Sequence, residues 1–116
     1  MLKMGHNLVG VENGEQVMFS DFEHDGEMWK GKGQRQSRRA VAFSEPFSRI
    51  PVVQVSMSMW DIDKHSNMRG DLQAENVTTT GFELVFRTWS DSRVARIRAS
   101  WLAIGPLEHQ DDWELY

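Results

Sequence analysis

The chain has 116 residues, a formal net charge of -4 and no cysteine. Its length is typical of one domain, and the missing thiols exclude disulfides, thiolate metal sites and cysteine nucleophiles. The acidic balance argues against a dedicated nucleic-acid-binding protein, whose surface is usually basic. No apolar segment is long enough for a signal peptide or a transmembrane helix, so the sequence predicts no membrane insertion and leaves the localisation open.

Residues 1–37 are predicted to form an N-terminal arm with a hairpin and a basic loop. The hairpin is expected because two alternating segments flank Asn13-Gly14, a strong turn dipeptide. Charge is segregated in this region: residues 11–29 carry acidic side chains and no Lys or Arg, whereas residues 30–44 are basic. Such blocks are usually solvated surfaces, and they also permit contacts between the acidic part of one protomer and the basic part of its neighbour.

From residue 38 onward, the hydrophobic pattern has a period of two, which is typical of half-buried strands. The clearest segments are residues 50–60, 81–87 and 93–104, and two weaker ones are residues 38–43 and 68–77. No window has helical periodicity and the linkers are short, so an antiparallel sandwich or barrel is favoured over βαβ units. We place this domain at residues 38–105 and interpret residues 106–116 as an acidic C-terminal tail.

The sequence contains no complete motif for an enzyme active site or a metal site. Asp61-Ile62-Asp63 has the start of a calcium loop, but Ser66 and Leu72 stand where that loop needs glycine and glutamate. The sequence contains no G-x-S-x-G nucleophile elbow, and its acidic residues concentrate in expected loops and in the tail. The sequence therefore predicts no catalysis, no cofactor and no metal site.

One group of residues fits a carbohydrate-binding site. Arg69 follows a polar loop, and Trp89 ends a predicted strand. The next two residues, Ser90 and Asp91, turn the chain into the following strand. An aromatic ring can pack against the apolar C–H face of a pyranose, while arginine and aspartate hydrogen-bond to adjacent hydroxyl groups. The alternative is structural, with Trp89 at the edge of the core and Arg69 as a surface cation.

Residues 38–105 resemble the H-type lectin domain, a family known from snail agglutinins and discoidins. The resemblance rests on ordered blocks with compatible spacing: residues 39–56, Asn67-Met68-Arg69, residues 77–82, Thr88-Trp89 and residues 99–104. It implies an all-β fold, a compact antiparallel β-sandwich of about six strands, assembled as a homotrimer that can pair into a hexamer. It also implies binding of terminal galactose or N-acetylgalactosamine at the boundaries between subunits.

Carried over by position, the resemblance assigns carbohydrate binding to Arg69, Trp89 and Ser90. The last of these stands where the best-known snail lectin has histidine. Asp91 does not match a family position, but it offers a carboxylate next to the matched residues, and we include it as a substitute for the family's acid.

The family's site glycine and aspartate fall on the stretch Gly31-Lys32-Gly33, which offers glycines but no acid. Losing one charge-assisted hydrogen bond costs about 1.5–3 kcal/mol, or roughly ten- to hundredfold in affinity. The identity of the sugar is therefore open. An anionic glycan is an alternative ligand, because the segment 30–39 is basic.

The leading hypothesis is a carbohydrate-binding lectin without catalysis, in which several weak sites act together. The alternative is a structural or adhesion module, such as a component of a phage tail or surface assembly, that keeps the fold without binding sugar. Apolar side chains of the 50–60 segment, Met57, Met59 and Trp60, are expected to form a surface that neighbouring subunits cover. Trp101, on the inward-alternating side of the last strand, is expected in the core.

Overall fold

The computed structural model describes residues 1–5, 8–21 and 26–108. Their regular elements are β1 (Leu8–Ser20), α1 (Glu27–Lys30), β2 (Arg35–Ala42), β3 (Val52–Ile62), β4 (Asp71–Glu75), β5 (Gly81–Thr88) and β6 (Val94–Leu107). The strands form two three-stranded sheets, a first sheet in the order β1-β6-β3 and a second sheet in the order β2-β5-β4. All four strand pairs are antiparallel. The predicted all-β sandwich is confirmed, with α1 a single helical turn.

The core lies between the two sheets and follows the alternation in the sequence. Strand β5 buries Phe82, Leu84 and Phe86, and β6 buries Ile97, Ala99, Trp101 and Ala103. Fully burying one large apolar side chain stabilises the fold by about 1.5–3 kcal/mol, so these two central strands carry much of the stability. Phe82 and Trp101 meet edge to face at 5.5 Å between ring centroids, an orientation that aromatic rings favour. The prediction that Trp101 belongs to the core is confirmed.

The predicted N-terminal hairpin is wrong. Residues 8–20 form one continuous strand that pairs along β6, and Asn13-Gly14 lies in its middle. The reason is tertiary: Gly14 is opposite Trp101, and a Cβ at Gly14 would lie 2.8 Å from the indole ring. Glycine is therefore needed at this position to make room for the tryptophan, and not to turn the chain.

Strand ends also differ from the sequence-based bounds. Strand β2 begins at Arg35, within the predicted N-terminal arm, and β6 continues to Leu107, within the predicted tail. Residues 109–116, which make up most of that tail, lie outside the described residues, as does the tripeptide 23–25 of the acidic block. Among the described residues, no helix is both long and apolar enough to cross a membrane.

Three chain connections meet at one end of the sandwich, which we call the loop end. They are residues 26–34 before β2, residues 63–70 between β3 and β4, and residues 89–93 between β5 and β6. Hydrogen bonds join them: the Gly33 N–H donates to the Ser90 carbonyl at 3.0 Å, and the Asp63 N–H donates to the Arg93 carbonyl at 2.8 Å. The antiparallel topology thus brings residues far apart in sequence to one surface.

Candidate functional site

An ion pair at the loop end joins two of the predicted site residues. Arg69 Nη1 lies 2.5 Å from Asp91 Oδ1, and the amide nitrogen of Asn67 donates to Asp91 Oδ2 at 3.2 Å. Burial raises the pKa of Asp91, but the hydrogen bonds from Asn67, from backbone N–H groups and from Arg69 outweigh it and hold that pKa below its ordinary value. Asp91 is thus a carboxylate at neutral pH, held in place by two side chains and still partly exposed.

Two buried hydroxyl groups fix the backbone that carries Arg69. Ser92 is fully buried; its Oγ accepts a hydrogen bond from the Arg69 N–H at 2.9 Å and donates to the Asn67 carbonyl. Thr88 Oγ1 donates to the Arg69 carbonyl at 2.6 Å. The backbone at Arg69 is therefore held by Thr88 at the end of β5 and by Ser92 in the β5–β6 connection, which fixes the base of the Arg69 side chain.

Arg35 is a residue of the site region that sequence reasoning missed. It is only 5% exposed, and its guanidinium donates to three backbone carbonyls, those of Gly33 at 3.0 Å, Met28 at 3.1 Å and Ser90 at 3.2 Å. A buried charge is costly unless its hydrogen bonds are satisfied, and the planar guanidinium offers several donors at once. Arg35 therefore clamps α1, the following loop and the β5–β6 turn together. Its place in a basic run suggested a surface cation instead.

The glycine-rich stretch shapes the loop end by its backbone. The Gly31 N–H donates to the Glu27 carbonyl at 2.7 Å and ends α1, and a Cβ at Gly31 would lie 2.3 Å from that oxygen. Gly33 has φ +76°, a conformation that L-residues with side chains rarely adopt. Its bond to Ser90 brings this stretch to the β5–β6 turn, while the side chain of Lys32 is exposed.

Ser90 itself adopts φ 61°, uncommon for a residue with a side chain. Its carbonyl accepts hydrogen bonds from both Gly33 and Arg35, which hold the turn in this conformation. Such conformations persist only where the surrounding structure stabilises them, and they are found most often at binding and catalytic sites. The turn carries Trp89 immediately before Ser90 and Asp91 immediately after it.

Trp89 is 41% exposed and borders an open groove of about 710 Å³. The groove lies on the outer face of the second sheet, the face turned away from the core. It is lined by Gln34, Arg35, Gln36, Asp71, Gln73, Arg87, Thr88 and Trp89. Of the seven predicted site residues, Trp89 alone lines this groove; Arg69, Ser90 and Asp91 lie in the loops that adjoin it.

The basic segment 30–39 is largely occupied within the protein. Arg35 binds backbone carbonyls, Arg38 forms ion pairs with Glu75 and Glu83 at 3.2 Å each, and Arg39 donates to the Met18 carbonyl at 3.1 Å. The arginines of this segment are thus used in holding strands together. An anionic ligand would have to compete with those contacts.

The carboxylates of the calcium-like sequence have other partners. Asp61 Oδ2 lies 3.0 Å from Arg96 Nη2, and Asp63 Oδ2 lies 4.0 Å from Arg93 Nη1. Arg93 also stacks over the Trp29 ring, 4.3 Å from its centroid, in a cation–π contact. These contacts join β3 and α1 to the start of β6.

The family model of the H-type lectin domain matches residues 38–104. The chain therefore belongs to the H-type lectin domain family, as its sequence blocks suggested. It is 51% identical over 115 residues to a Fuscovulum blasticum protein named "ATP synthase subunits region ORF 7", spanning 99% of both chains. It is also 31% identical over 83 residues to discoidin-2 of Dictyostelium discoideum, covering 69% of this chain and 32% of the discoidin.

The solved structures of discoidin II from Dictyostelium discoideum share this fold. The native recombinant protein superimposes with a TM-score of 0.74 at 26% identity, covering 89% of this chain and 38% of the discoidin. The wild-type structure gives a TM-score of 0.75 at 27% identity, with 91% and 40% coverage. The chain thus spans well under half the length of the discoidins that it matches, and it has the lectin fold of that part.

Proposed function

We propose that the protein is a lectin that binds a terminal galactose- or N-acetylgalactosamine-type sugar at the loop end, without catalysis. The observation that carries this proposal is the ordered cluster of Arg69, Asp91 and Asn67 at the turn that also carries the exposed Trp89. Together these side chains offer charged donors, a carboxylate acceptor and an apolar face. Adjacent sugar hydroxyls fit such donor and acceptor pairs, and the C–H face of a pyranose fits the indole.

Asp91 supplies the carboxylate that the stretch 31–33 lacks. Its lowered pKa keeps it ionised, and its bond to Arg69 sets donor and acceptor side by side, as vicinal hydroxyls require. Ser90, at its positive φ, directs the turn that carries both Asp91 and Trp89. Gly31, Lys32 and Gly33 then contribute backbone groups and loop shape rather than an acid.

A neutral sugar is the better fit. The arginines of segment 30–39 are engaged with backbone carbonyls or with Glu75 and Glu83. Lys30 and Lys32 are exposed and form no ion pair with any other described residue. Because two flexible lysines are weak evidence for a glycan carboxylate, we rank the anionic ligand second.

We also propose a homotrimer, with pairing to a hexamer as its extension, so that several weak sites act together. The support is an apolar row across the outer face of the first sheet, where Val11 and Val52 flank Ile104 from the two sides. Val11 is 64% exposed and Val52 is 57% exposed. Of the three residues that the sequence suggested for this surface, Met57 packs against the core and Met59 is half-buried. Trp60 is 61% exposed, but it is paired with the buried Ile97 and so does not belong to the apolar row.

The decisive experiment is a glycan array on the purified protein, followed by calorimetric titration of its best ligand. Arg69→Ala is expected to weaken binding at least tenfold, because a charge-assisted bond to the sugar is lost and Asp91 loses its partner. Arg96→Ala is the matched control, since Arg96 also forms an exposed ion pair, with Asp61. Equal loss in both variants, or none in Arg69→Ala, would contradict the site.

The second candidate function is a structural or adhesion module with the lectin fold but no sugar. The absence of an acid in the stretch 31–33 favours it, because the family's aspartate position is empty of carboxylate. An oligomer that stays silent across neutral and anionic glycans on the array would support this alternative over the lectin.

A further inference from the structure

The groove on the outer face of the second sheet is not accounted for by the proposed terminal-sugar site. Its floor crosses all three strands, because Gln36 and Asp71 are paired with Arg87 from opposite sides. Two strand spacings of about 4.8 Å make this floor about 10 Å wide. Gln73 is paired with Val85, and Trp89 follows Val85 by four residues, which is about 13 Å in the strand direction. The groove is therefore longer than one monosaccharide.

The groove carries polar side chains that have no partner of their own. The amide side chains of Gln34, Gln36 and Gln73 are exposed and form no hydrogen bond with any other described residue. An amide group offers two donors and a carbonyl acceptor, which suits hydroxyl groups of either polarity. Three such groups on one groove form a surface for a ligand rich in hydroxyls.

The two arginines of the groove are engaged within the protein. Arg87 Nη1 donates to Glu75 at 2.6 Å, and this bond raises the pKa of Arg87, with a further contribution from the charge of Asp71. Arg35 is buried on backbone carbonyls. Because both arginines of the lining are engaged within the protein and Asp71 adds a negative charge, the groove does not select a strongly anionic ligand.

The groove and the terminal-sugar site are linked by neighbouring residues of the chain. Trp89 borders the groove and precedes Ser90 and Asp91 directly, while Thr88, also in the lining, donates to the carbonyl of Arg69 at 2.6 Å. Trp89 is thus the residue past which a ligand at the Arg69–Asp91 pair would extend into the groove. A volume of about 710 Å³ lies within the range of roughly 300–1,000 Å³ that small-molecule sites occupy.

We propose that this groove binds the second and following units of a neutral oligosaccharide whose terminal sugar is held at the Arg69–Asp91 pair. Gln36 and Gln73 are the specificity-determining residues, with Trp89 between the terminal unit and the groove. This inference rests on the proposed lectin function. With such a groove, the protein would distinguish glycans by their chain length and linkage as well as by their terminal sugar.

The test compares N-acetylgalactosamine with a neutral, N-acetylgalactosamine-terminated tetrasaccharide by calorimetric titration. The wild-type protein is expected to bind the tetrasaccharide about tenfold more tightly, since each neutral hydrogen bond contributes roughly two- to tenfold in affinity. The double variant Gln36→Ala/Gln73→Ala is expected to lose that advantage while its affinity for the monosaccharide stays the same. Gln54→Ala, an exposed strand glutamine on the first sheet, is the matched control.

A second readout does not depend on the variant folding. In nitrogen–proton correlation spectra of the wild-type protein, the side-chain amide signals of Gln36 and Gln73 should shift with the tetrasaccharide and not with the monosaccharide. Equal affinity for both ligands would overturn the groove proposal and leave the lectin function standing. Tighter binding of a sialylated tetrasaccharide would overturn the neutral ligand, and failure of every sugar to bind would overturn both proposals.

Discussion

The two sheets of the sandwich have outer faces of opposite character. On the first sheet, Val11, Ile104 and Val52 stand side by side across three strands, and the two valines are more than half exposed. On the second sheet, Val85 also points outward, yet it is 0% exposed. It lies between Arg38 and Gln73 on the neighbouring strands and between Glu83 and Arg87 on its own. Long polar side chains therefore cover its apolar surface.

An outward apolar residue can be covered by side chains of its own chain, or it can be left exposed for another protein to cover. The second sheet covers Val85 from within the same chain, using arginine stems whose charges pair with Glu75 and Glu83. Such a face is complete in one protomer and can meet a hydrated ligand. The first sheet leaves its valines uncovered, and an exposed apolar row is typical of a surface that another protein covers. This contrast is the basis on which we propose ligand binding for the second sheet and self-association for the first.

The largest effect is expected from a charge placed in the apolar row. Val52→Asp should dissociate the oligomer, because an unpaired carboxylate in a buried apolar interface is costly. Light scattering after size exclusion should then give 13.4 kDa, against about three times that mass for the wild type. Binding to a glycan-coated surface should weaken by about a hundredfold through lost avidity.

Ala42→Asp is the control, since Ala42 is an exposed small apolar residue at the edge of the second sheet. It should leave the mass unchanged. A wild-type protein that is monomeric at micromolar concentration would contradict self-association altogether.

An intermediate effect, on the free energy of unfolding, should distinguish Val85 of the second sheet from Val11 of the first. Val85→Ala removes two fully buried methyl groups and is expected to lower the free energy of unfolding by about 1.5–3 kcal/mol. Val11→Ala, at an exposed position, should change it by no more than about 0.5 kcal/mol in a monomeric Val52→Asp background. Urea unfolding measures both, and similar losses would show that the two faces are alike.

The smallest effect concerns pH. The hydrogen bond from Arg87 lowers the pKa of Glu75 below its ordinary value of 4.5, and the charges of Arg87 and Arg38 act in the same direction. The ionised Glu75 therefore stabilises the folded protein above pH 4.5, the pKa of the group in the unfolded chain. This stabilisation is lost as the pH falls through the lower pKa that Glu75 has in the folded protein. Since both side chains of the pair are partly exposed to solvent, the change should be small.

Thermal unfolding from pH 6 down to about pH 3 measures this term. The melting temperature of the wild type should fall slightly more than that of Glu75→Gln, in which the titrating group is absent. Identical pH profiles would mean that the ion network on the second sheet adds nothing to stability.

Much of the sandwich was predictable, because the alternation of apolar and polar residues within each strand indicates which of its faces is buried. Phe82, Leu84 and Phe86 alternate with polar residues, and that local pattern is enough to orient β5. The same logic placed Trp101 in the core. The hairpin failed because Asn13-Gly14 has the local chemistry of a turn, while the partner that decides its conformation, Trp101, is almost ninety residues away in the chain.

The candidate site was predictable only in part. Arg69, Trp89 and Asp91 stood out by residue type, because an arginine, an aromatic ring and a carboxylate have recognisable chemistry. Arg35 and Ser92 did not, since their roles come from burial and from backbone carbonyls that the fold brings to them. No residue-type pattern marks such positioning groups.

The all-β class, the core alternation and the family could be predicted from local sequence, because they depend on residue identity and on spacing within short segments. The tertiary structure alone decided that the N-terminal segment is an edge strand, that most charges of the basic run are internally satisfied, and that three glutamines share one groove. These outcomes depend on which distant strands become neighbours. Antiparallel pairing sets that order, and it acts between residues too far apart in the chain for a local pattern to report.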